Sequence, residues 1–445
     1  MSVRRHDGAR SSMAHMSKSE GTHMTAETTY PMTFGQLAVW RDIERMLPER
    51  RWEGNLSFCW SLPPRGVTAA DVWRAVGALG MRHASLRTTF DVTDLTDPRQ
   101  RISVDSPADV IAAVRQPGRD VALSRIETEE IQRPFALNTD LPWRVWLTGS
   151  DDAPGKLMVV IHHMAADGAG INVMERDFHA LLAGETLPPV PQPAELAMRQ
   201  RSGEVDSKLL AAEAYWRKTL ATAPRRVAPR PGAVLRATMH TGIPEPMLRA
   251  AAQGIGATVA AVSLTAYCRA LISTGVTSTP VLLYPMSSNR FDPAVTSVVT
   301  SMNQWLPVLA ELDPDQSFAQ AARALYVRNM RALKHGVYDP DTVTRVREDA
   351  EREGGPLDPG YHFNLLLPPM TVDPPEEIQE SSIEWHTPIR STGPGFYLMA
   401  SADTTVRLTV RVIREGYRRE ELHALLTTMR DDLLELVGSN GDKVR

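Results

Sequence analysis

A short unbroken apolar run, KLMVVI from Lys156 to Ile161, ends on two adjacent histidines, His162 and His163. A run of that length, rich in β-branched residues, reads as a strand covered on both faces. The chain then passes through MAADGAG into INVMERDFHALLAG, where Met174, Phe178 and Leu181 recur at helical spacing and Gly184 is the expected stop. No other stretch constrains the fold as much. A fully covered strand must give way to a helix through one loop. That loop carries two imidazoles, the carboxylate of Asp167 and the bare backbone of Gly168.

Helices and strands are mixed along the rest of the chain, so the expected class is α/β (α+β). VTAADVWRAVGALGMRH reads as a helix capped by Thr68 with Asp71 three residues on, with Val72, Val76 and Leu79 on one face. GETLPPVPQPAELA (Gly184 to Ala197) is Pro-rich and cannot continue the preceding helix, which makes it the expected linker between lobes. LLAAEAYWRKTLA is helical, and Pro-rich TAPRRVAPRPGAV leads into the second half. There GATVAAVSLTAYCRALIS and SFAQAARALYVRNMRALKHG read as helices and PVLLYPM as a strand. VRLTVRV alternates strictly, with Val406, Leu408, Val410 and Val412 on one face and Arg407, Thr409 and Arg411 on the other, the pattern of a half-solvated strand. The last helix carries Leu422, Leu425, Leu426, Met429, Leu433 and Leu436 on one stripe.

The chain has 445 residues, and a single core rarely grows past roughly 250–300 residues, so two lobes are expected. Residues 29–190 would form the lobe with the histidine loop and 191–445 the second lobe. Residues 1–28 are polar and Ser-rich without an apolar h-region, and read as a disordered tail, not a secretory signal. Lys and Arg number 49 against 53 Asp and Glu, a net charge of −4. That balance argues against a general nucleic-acid binder. Cys59 and Cys268 alone give neither a disulfide framework nor a four-cysteine zinc site, and fit a reducing, cytoplasmic compartment. No apolar run of about 18 residues occurs, so no membrane span is expected.

Four roles fit the paired histidines. One is structural, a ring satisfied in the core. A metal site is disfavoured, because neighbours on an extended segment point to opposite faces. A Ser-His-Asp hydrolase is disfavoured by the lack of a G-x-S-x-G elbow. The fourth role uses the alternation: His162 points inward and locks the loop, while His163 points into a cleft and accepts a proton from an incoming amine or hydroxyl. Asp167 then braces the loop by pairing with a distant Arg. Gly168, at the head of a helix, offers its N–H to a developing oxyanion.

The pattern H-H-x-x-x-D-G at His162, His163, Asp167 and Gly168 resembles the signature of the condensation domains of nonribosomal peptide synthetases, within the superfamily of CoA-dependent acyltransferases. Other condensation-domain patterns follow in order: YPMTFGQLAVW (Tyr30 to Trp40), RHASLRTTF (Arg82 to Phe90), RPFALNTDLPWRVWL, YWRKTLATAP, SSNRFDPAVTSVVTSMNQWLPV and YHFNLLL. The resemblance covers Tyr30 to Val437. It implies two chloramphenicol-acetyltransferase-like lobes in a V-shaped pseudodimer, with an active-site tunnel between them. His163 matches the catalytic histidine. Asp167 matches an acid whose family role is a salt bridge, with Arg290 as partner. Asn303 matches an asparagine near the tunnel. Arg82, His83 and Arg87 match a motif that is mainly structural.

The chain departs from the pattern at Ala169 and Gly170, where a bulky residue and Ser are frequent, and at Ala84, Gln304 and Trp305. Ala169 and Trp305 therefore bear on the shape of the substrate tunnel, and Trp305 either narrows the acceptor channel or fills core. The implied function is a free-standing, monomeric condensation enzyme that joins an acyl or peptidyl thioester to an amine. Its substrates would ride on 4′-phosphopantetheine of carrier proteins in trans, or arrive as a CoA thioester, with no permanent cofactor and no metal. A GxGxxG fingerprint, an adenylating phosphate loop and a carrier G-G-x-S site are all lacking. The rival readings are an ester-forming or acyl-CoA-dependent acyltransferase, an epimerising domain, and a degenerate module that only recruits a partner protein.

Overall fold

The computed structural model describes residues 28–441, apart from 119–120, 227–233, 314, 368–372, 389, 391 and 414–415. The expected N-terminal tail and the middle of TAPRRVAPRPGAV lie outside the described residues.

In the first half, β1 (Thr29–Pro31), β3 (Thr88–Asp91) and β4 (Arg99–Ile102) form a small sheet in the order β1-β4-β3. β2 (Asn55–Ser61), β5 (Trp143–Gly149) and β6 (Pro154–His162) form a second, with β6 in the middle. Leu157 to Ile161 of β6 are all buried. The reason is a cover on each face. Val159 and Ile161 pack with helices Ala69–Arg82, Pro107–Val114 and Gly168–Leu182. Met158 and Val160 pack on Ile126, Phe135 and Trp146. The helix Ala69–Arg82 starts as its sequence demands: Thr68 accepts from the N–H of Asp71, and the Asp71 carboxylate accepts the N–H of Thr68.

The second half builds one mixed sheet from β7 (Leu235–Pro244), β8 (Val281–Ser287), β9 (Gln304–Trp305), β10 (Val308–Ala310), β11 (Tyr361–Leu366), β12 (Ser382–His386), β13 (Phe396–Ala402) and β14 (Thr405–Val412). Its order is β10-β8-β11-β13-β14-β7-β12, with β9 also on β8. β11 runs parallel to β8 and β13, and the other pairs are antiparallel. Helices Val259–Ser273 and Arg419–Gly441 cover one face, and the leucine stripe of the latter is fully buried there. Among the described residues no single helix is long and apolar enough to cross a membrane.

Two expectations need correction. The Pro-rich stretch after Gly184 is not plain linker: Pro193–Arg199 is a helix with Pro at its first turn, where the missing N–H costs nothing. Gln192 and Gln200 fasten it to the first half by accepting the N–H groups of Ala84 and Phe34. And the second face of β14 is only partly open to solvent: its valines and Leu408 are buried in the core as the alternation requires, while Thr409 and Arg411 are half-buried and the Arg407 side chain keeps 34% of its surface exposed.

Candidate active site

β6 delivers the histidines, and their main chains are pulled to opposite neighbours. The N–H of His162 donates to Pro142 O, and that of His163 to Gly54 O, each at 2.8 Å. The two rings diverge accordingly. His162 is 3% exposed, takes the N–H of Met164 on Nδ1 at 3.3 Å, and meets Phe135 edge-on. Burial, aided by His163 and Arg144, pushes its pKa down to about 3, so the ring is neutral. His163 is half-buried, with Nδ1 3.4 Å from Ser301 Oγ. Burial lowers its pKa too; a hydrogen bond to main chain and the charge of Asp167 pull upward, and Arg390 pulls down. A neutral imidazole with an accessible face can accept a proton.

Asp167 caps the helix Gly168–Leu182 by accepting from the Gly170 N–H at 2.9 Å. Its Oδ2 accepts from Arg290 Nη1 at 2.7 Å and from the N–H groups of Met302 and Asn303 at 2.9 and 3.2 Å. Both side chains are almost fully buried. Arg290 donates onward to Thr300 O and Val298 O. These bonds occupy the carboxylate in positioning, and they draw the 298–303 segment over the first lobe, where Val299 joins the core. Gly35 shows how close the approach is: a Cβ there would stand 2.3 Å from Ser301 O. Thr33 caps the helix Phe34–Glu44 in a reciprocal box with Gln36, and this holds Gly35 in place.

Gly168 is exposed and Ala169 half-buried at the head of the capped helix. The first N–H groups of a helix have no partner within it, and those of Gly168 and Ala169 have none among the described residues. A Cβ on Gly168 would lie 3.6 Å from Leu366, at the end of β11. The loop therefore faces the second lobe across a narrow gap. Asn303 is half-buried and accepts from Ser301 Oγ at 2.9 Å. Trp305 is half-buried, edge-on to His362 at 4.8 Å and to Tyr397 at 6.0 Å, and its carbonyl accepts the Tyr338 hydroxyl. It packs with the second lobe's aromatics. Arg82 and His83 both bind Asp177 of the helix that follows the histidine loop, so this motif fixes the helix from outside the cleft. Arg87 pairs with Asp105.

Several site residues were not foreseen. Ser301 has no sequence signal. Asn289, at φ 53°, is the one non-glycine residue with positive φ among the described residues. It donates to Met302 O and Gly336 O, fastening the 302–304 segment. Its type was the available signal, since asparagine tolerates that conformation. A second crossing links the lobes at Glu53. Arg390 donates to Glu53 O at 3.0 Å and Asn55 O at 2.7 Å, and Thr392 donates its N–H to the Glu53 carboxylate at 2.9 Å. These contacts flank Gly54, the residue that holds the His163 main chain.

Among the described residues no cluster of three or more His, Cys, Asp or Glu is placed to hold a metal ion. A family model described as "Condensation domain" matches residues 27–380. The chain is 30% identical over 309 residues to phosphinothricin tripeptide synthetase PhsC of Streptomyces viridochromogenes, covering 65% of this chain and 28% of that protein. The chain thus spans little more than a quarter of that relative. Among solved structures it is similar to the domain described in "Molecular basis for condensation domain-mediated chain release from the enacyloxin polyketide synthase", with TM-score 0.70, 18% identity and coverage of 92% of this chain and 83% of that one. It is similar also to the X-domain from teicoplanin biosynthesis, with TM-score 0.65, 18% identity and coverage of 92% and 95%. The fold is the two-lobed, chloramphenicol-acetyltransferase-like one of those structures. With the model match spanning most of its length, the chain belongs to the condensation-domain family.

Proposed function

We propose that this protein joins an acyl or peptidyl thioester to an amine, forming an amide and a free thiol. The observation that carries the reading is His163, a half-open, neutral imidazole at the meeting of the two lobes. The amine nitrogen attacks the thioester carbonyl. The C–N bond forms, the C–S bond breaks, and His163 accepts the amine proton and returns it to the leaving thiolate. The N–H groups of Gly168 and Ala169 face the developing oxyanion, where one such donor is worth about 2.7–4 kcal/mol. Holding both substrates in one corridor removes up to about 7–11 kcal/mol of barrier. Asp167 and Arg290 position the loop without touching the reaction.

The donor arrives on the phosphopantetheine of a carrier protein, or as a CoA thioester, and the reaction serves nonribosomal peptide biosynthesis. The lobe boundary is placed after Gln200 instead of at 190, since the helix Pro193–Arg199 is bonded at both ends to the first half. Likeness to the X-domain solved in complex with OxyB from teicoplanin biosynthesis keeps a partner-recruiting module as the second reading. The deciding experiment is intact-mass analysis of acyl-loaded carrier protein incubated with candidate amines. The parent releases amide and unloaded carrier, and His163→Ala does so at least about a hundredfold more slowly. Equal rates for parent and variant, or no product with any amine from a carrier that still binds, would replace the enzyme with the recruiting module.

A further inference from the structure

One face of the large sheet is spent on the core: Phe396, Leu398, Val410, Val412 and Ala237 are fully buried there. Strand alternation turns the residues between them the other way. They form a single cross-strand row, in which Tyr397 of β13 pairs with Arg411 of β14, Arg411 with Arg236 of β7, and Arg236 with His386 of β12. Tyr397, Arg411 and Arg236 are all half-buried. The Arg411 guanidinium lies over the Tyr397 ring, 5.7 Å from its centroid, and its Nε is buried with no hydrogen-bond partner. Among the described residues neither Arg411 nor Arg236 has an ion-pair partner.

This row lies beside the second crossing. A Cβ on Gly393 would stand 3.1 Å from Arg411 Nη2, so the segment that carries Arg390 and Thr392 runs against Arg411 before reaching Glu53 and Asn55 next to His163. Three guanidiniums, Arg236, Arg390 and Arg411, thus share one region. Glu53 is the acidic group that couples to Arg390 and Arg411, and it is already engaged by Arg50 and Thr392. Glu384, at the far end, pairs with His386 and His240. Arg390 is committed to two carbonyls. Burial, with repulsion from Arg411, brings the Arg390 pKa down to about 10, and burial lowers that of Arg411 as well. Cations half-removed from water without an anion are costly unless a ligand supplies one. A guanidinium fork fits a carboxylate with two parallel hydrogen bonds.

We infer that Arg411 and Arg236, with Tyr397, form a carboxylate-binding site in the corridor, and that one of the two substrates brings a free carboxylate to it. The inference rests on the amide-forming reading for what the ligand is, and on the row alone for where it binds. The carboxylate belongs either to the acyl donor or to a free acceptor.

Two matched probe pairs separate these sources, with binding to the full chain followed by calorimetry, which needs no turnover. On the donor side, succinyl-N-acetylcysteamine thioester is compared with the butyryl compound; on the acceptor side, phenylalanine is compared with phenylalaninamide. The parent binds the carboxylate-bearing member of one pair about tenfold more tightly or better, and the pair that shows it identifies the carrier of the group. Arg411→Gln and Arg236→Gln each abolish most of that preference by weakening the carboxylate-bearing probe, while Arg411→Lys retains part of it. Unchanged thermal melting shows that the variants are folded. Equal affinity within both pairs, or a preference that survives both Gln variants, overturns the site. A carboxylate preference in a protein whose His163→Ala variant turns over normally would keep the site and remove the reaction.

Discussion

The lobes are tied together in two places beside His163, and the two ties are built differently. At Asp167 the carboxylate takes Arg290 and three main-chain N–H groups, and the two Nη atoms of Arg290 spend their bonds on that carboxylate and on carbonyls, with only its Nε left unpartnered. At Glu53 the carboxylate is satisfied as well, but the guanidiniums gathered around it outnumber the anions. The first tie is a closed ion pair that can only hold geometry. The second has guanidinium groups without an ion-pair partner among the described residues, Arg411 and Arg236, which is where the proposed carboxylate would bind. Stability should therefore depend most on the first, and substrate choice most on the second.

The largest expected effect is on the closed tie. Asp167→Ala leaves Arg290 buried without its anion, removes a helix cap and frees two N–H groups, a loss of about 3–5 kcal/mol. Urea unfolding followed by circular dichroism should show it as a lower midpoint. An Asp167→Ala protein as stable as the parent but inactive would make Asp167 a participant in the chemistry and erase the contrast. Gly35→Ala tests the same tie from its other side. Its Cβ would strike the Ser301 carbonyl and Met302 Cα, both backbone, so the lobes must shift at a cost of about 1–3 kcal/mol. The same unfolding assay reads it. Arg390→Ala, at the open tie, removes two charge-assisted bonds to carbonyls but also relieves the repulsion between Arg390 and Arg411, and should cost about 1.5–3 kcal/mol in that assay. Its larger effect falls on turnover in the intact-mass assay, through the strand that holds His163. A stability loss as large as that of Asp167→Ala would show the two ties to be equivalent.

The two ties also differed in how far the sequence exposed them. The strand, loop and helix around the histidines announce themselves by pattern: an unbroken apolar run, then a 3.6-residue period. Asp167 stands in the loop itself, and Arg290 is reached through the family pattern. Nothing local marks Glu53 or Arg390, which are 337 residues apart and meet through side chain and main chain that any sequence could supply. Arg411 was read as a solvated residue because alternation separates two faces without saying what covers the second. The helix Pro193–Arg199 was hidden for a different reason: proline stops a preceding helix and begins a new one equally well.

The smallest predicted effect sets the two ties directly against each other through His163. Asp167 stabilises the imidazolium and Arg390 destabilises it, both as minor influences beside burial. Burial keeps the imidazole neutral at neutral pH, so turnover should hold as pH falls through the ordinary histidine range near 6.5 and decline only below it. Asp167→Asn keeps the cap but removes the negative charge, so protonation becomes harder and the acid limb of the rate profile moves to lower pH. Arg390→Gln removes a positive charge, so protonation becomes easier and the limb moves to higher pH. Each displacement should be under about one pH unit, since charges flanking a partly hydrated site are screened. The measurement is initial amide formation against pH at saturating donor for the parent and both variants. Displacement of both limbs in the same direction would mean that the two ties act on His163 through its packing and not through their opposite charges.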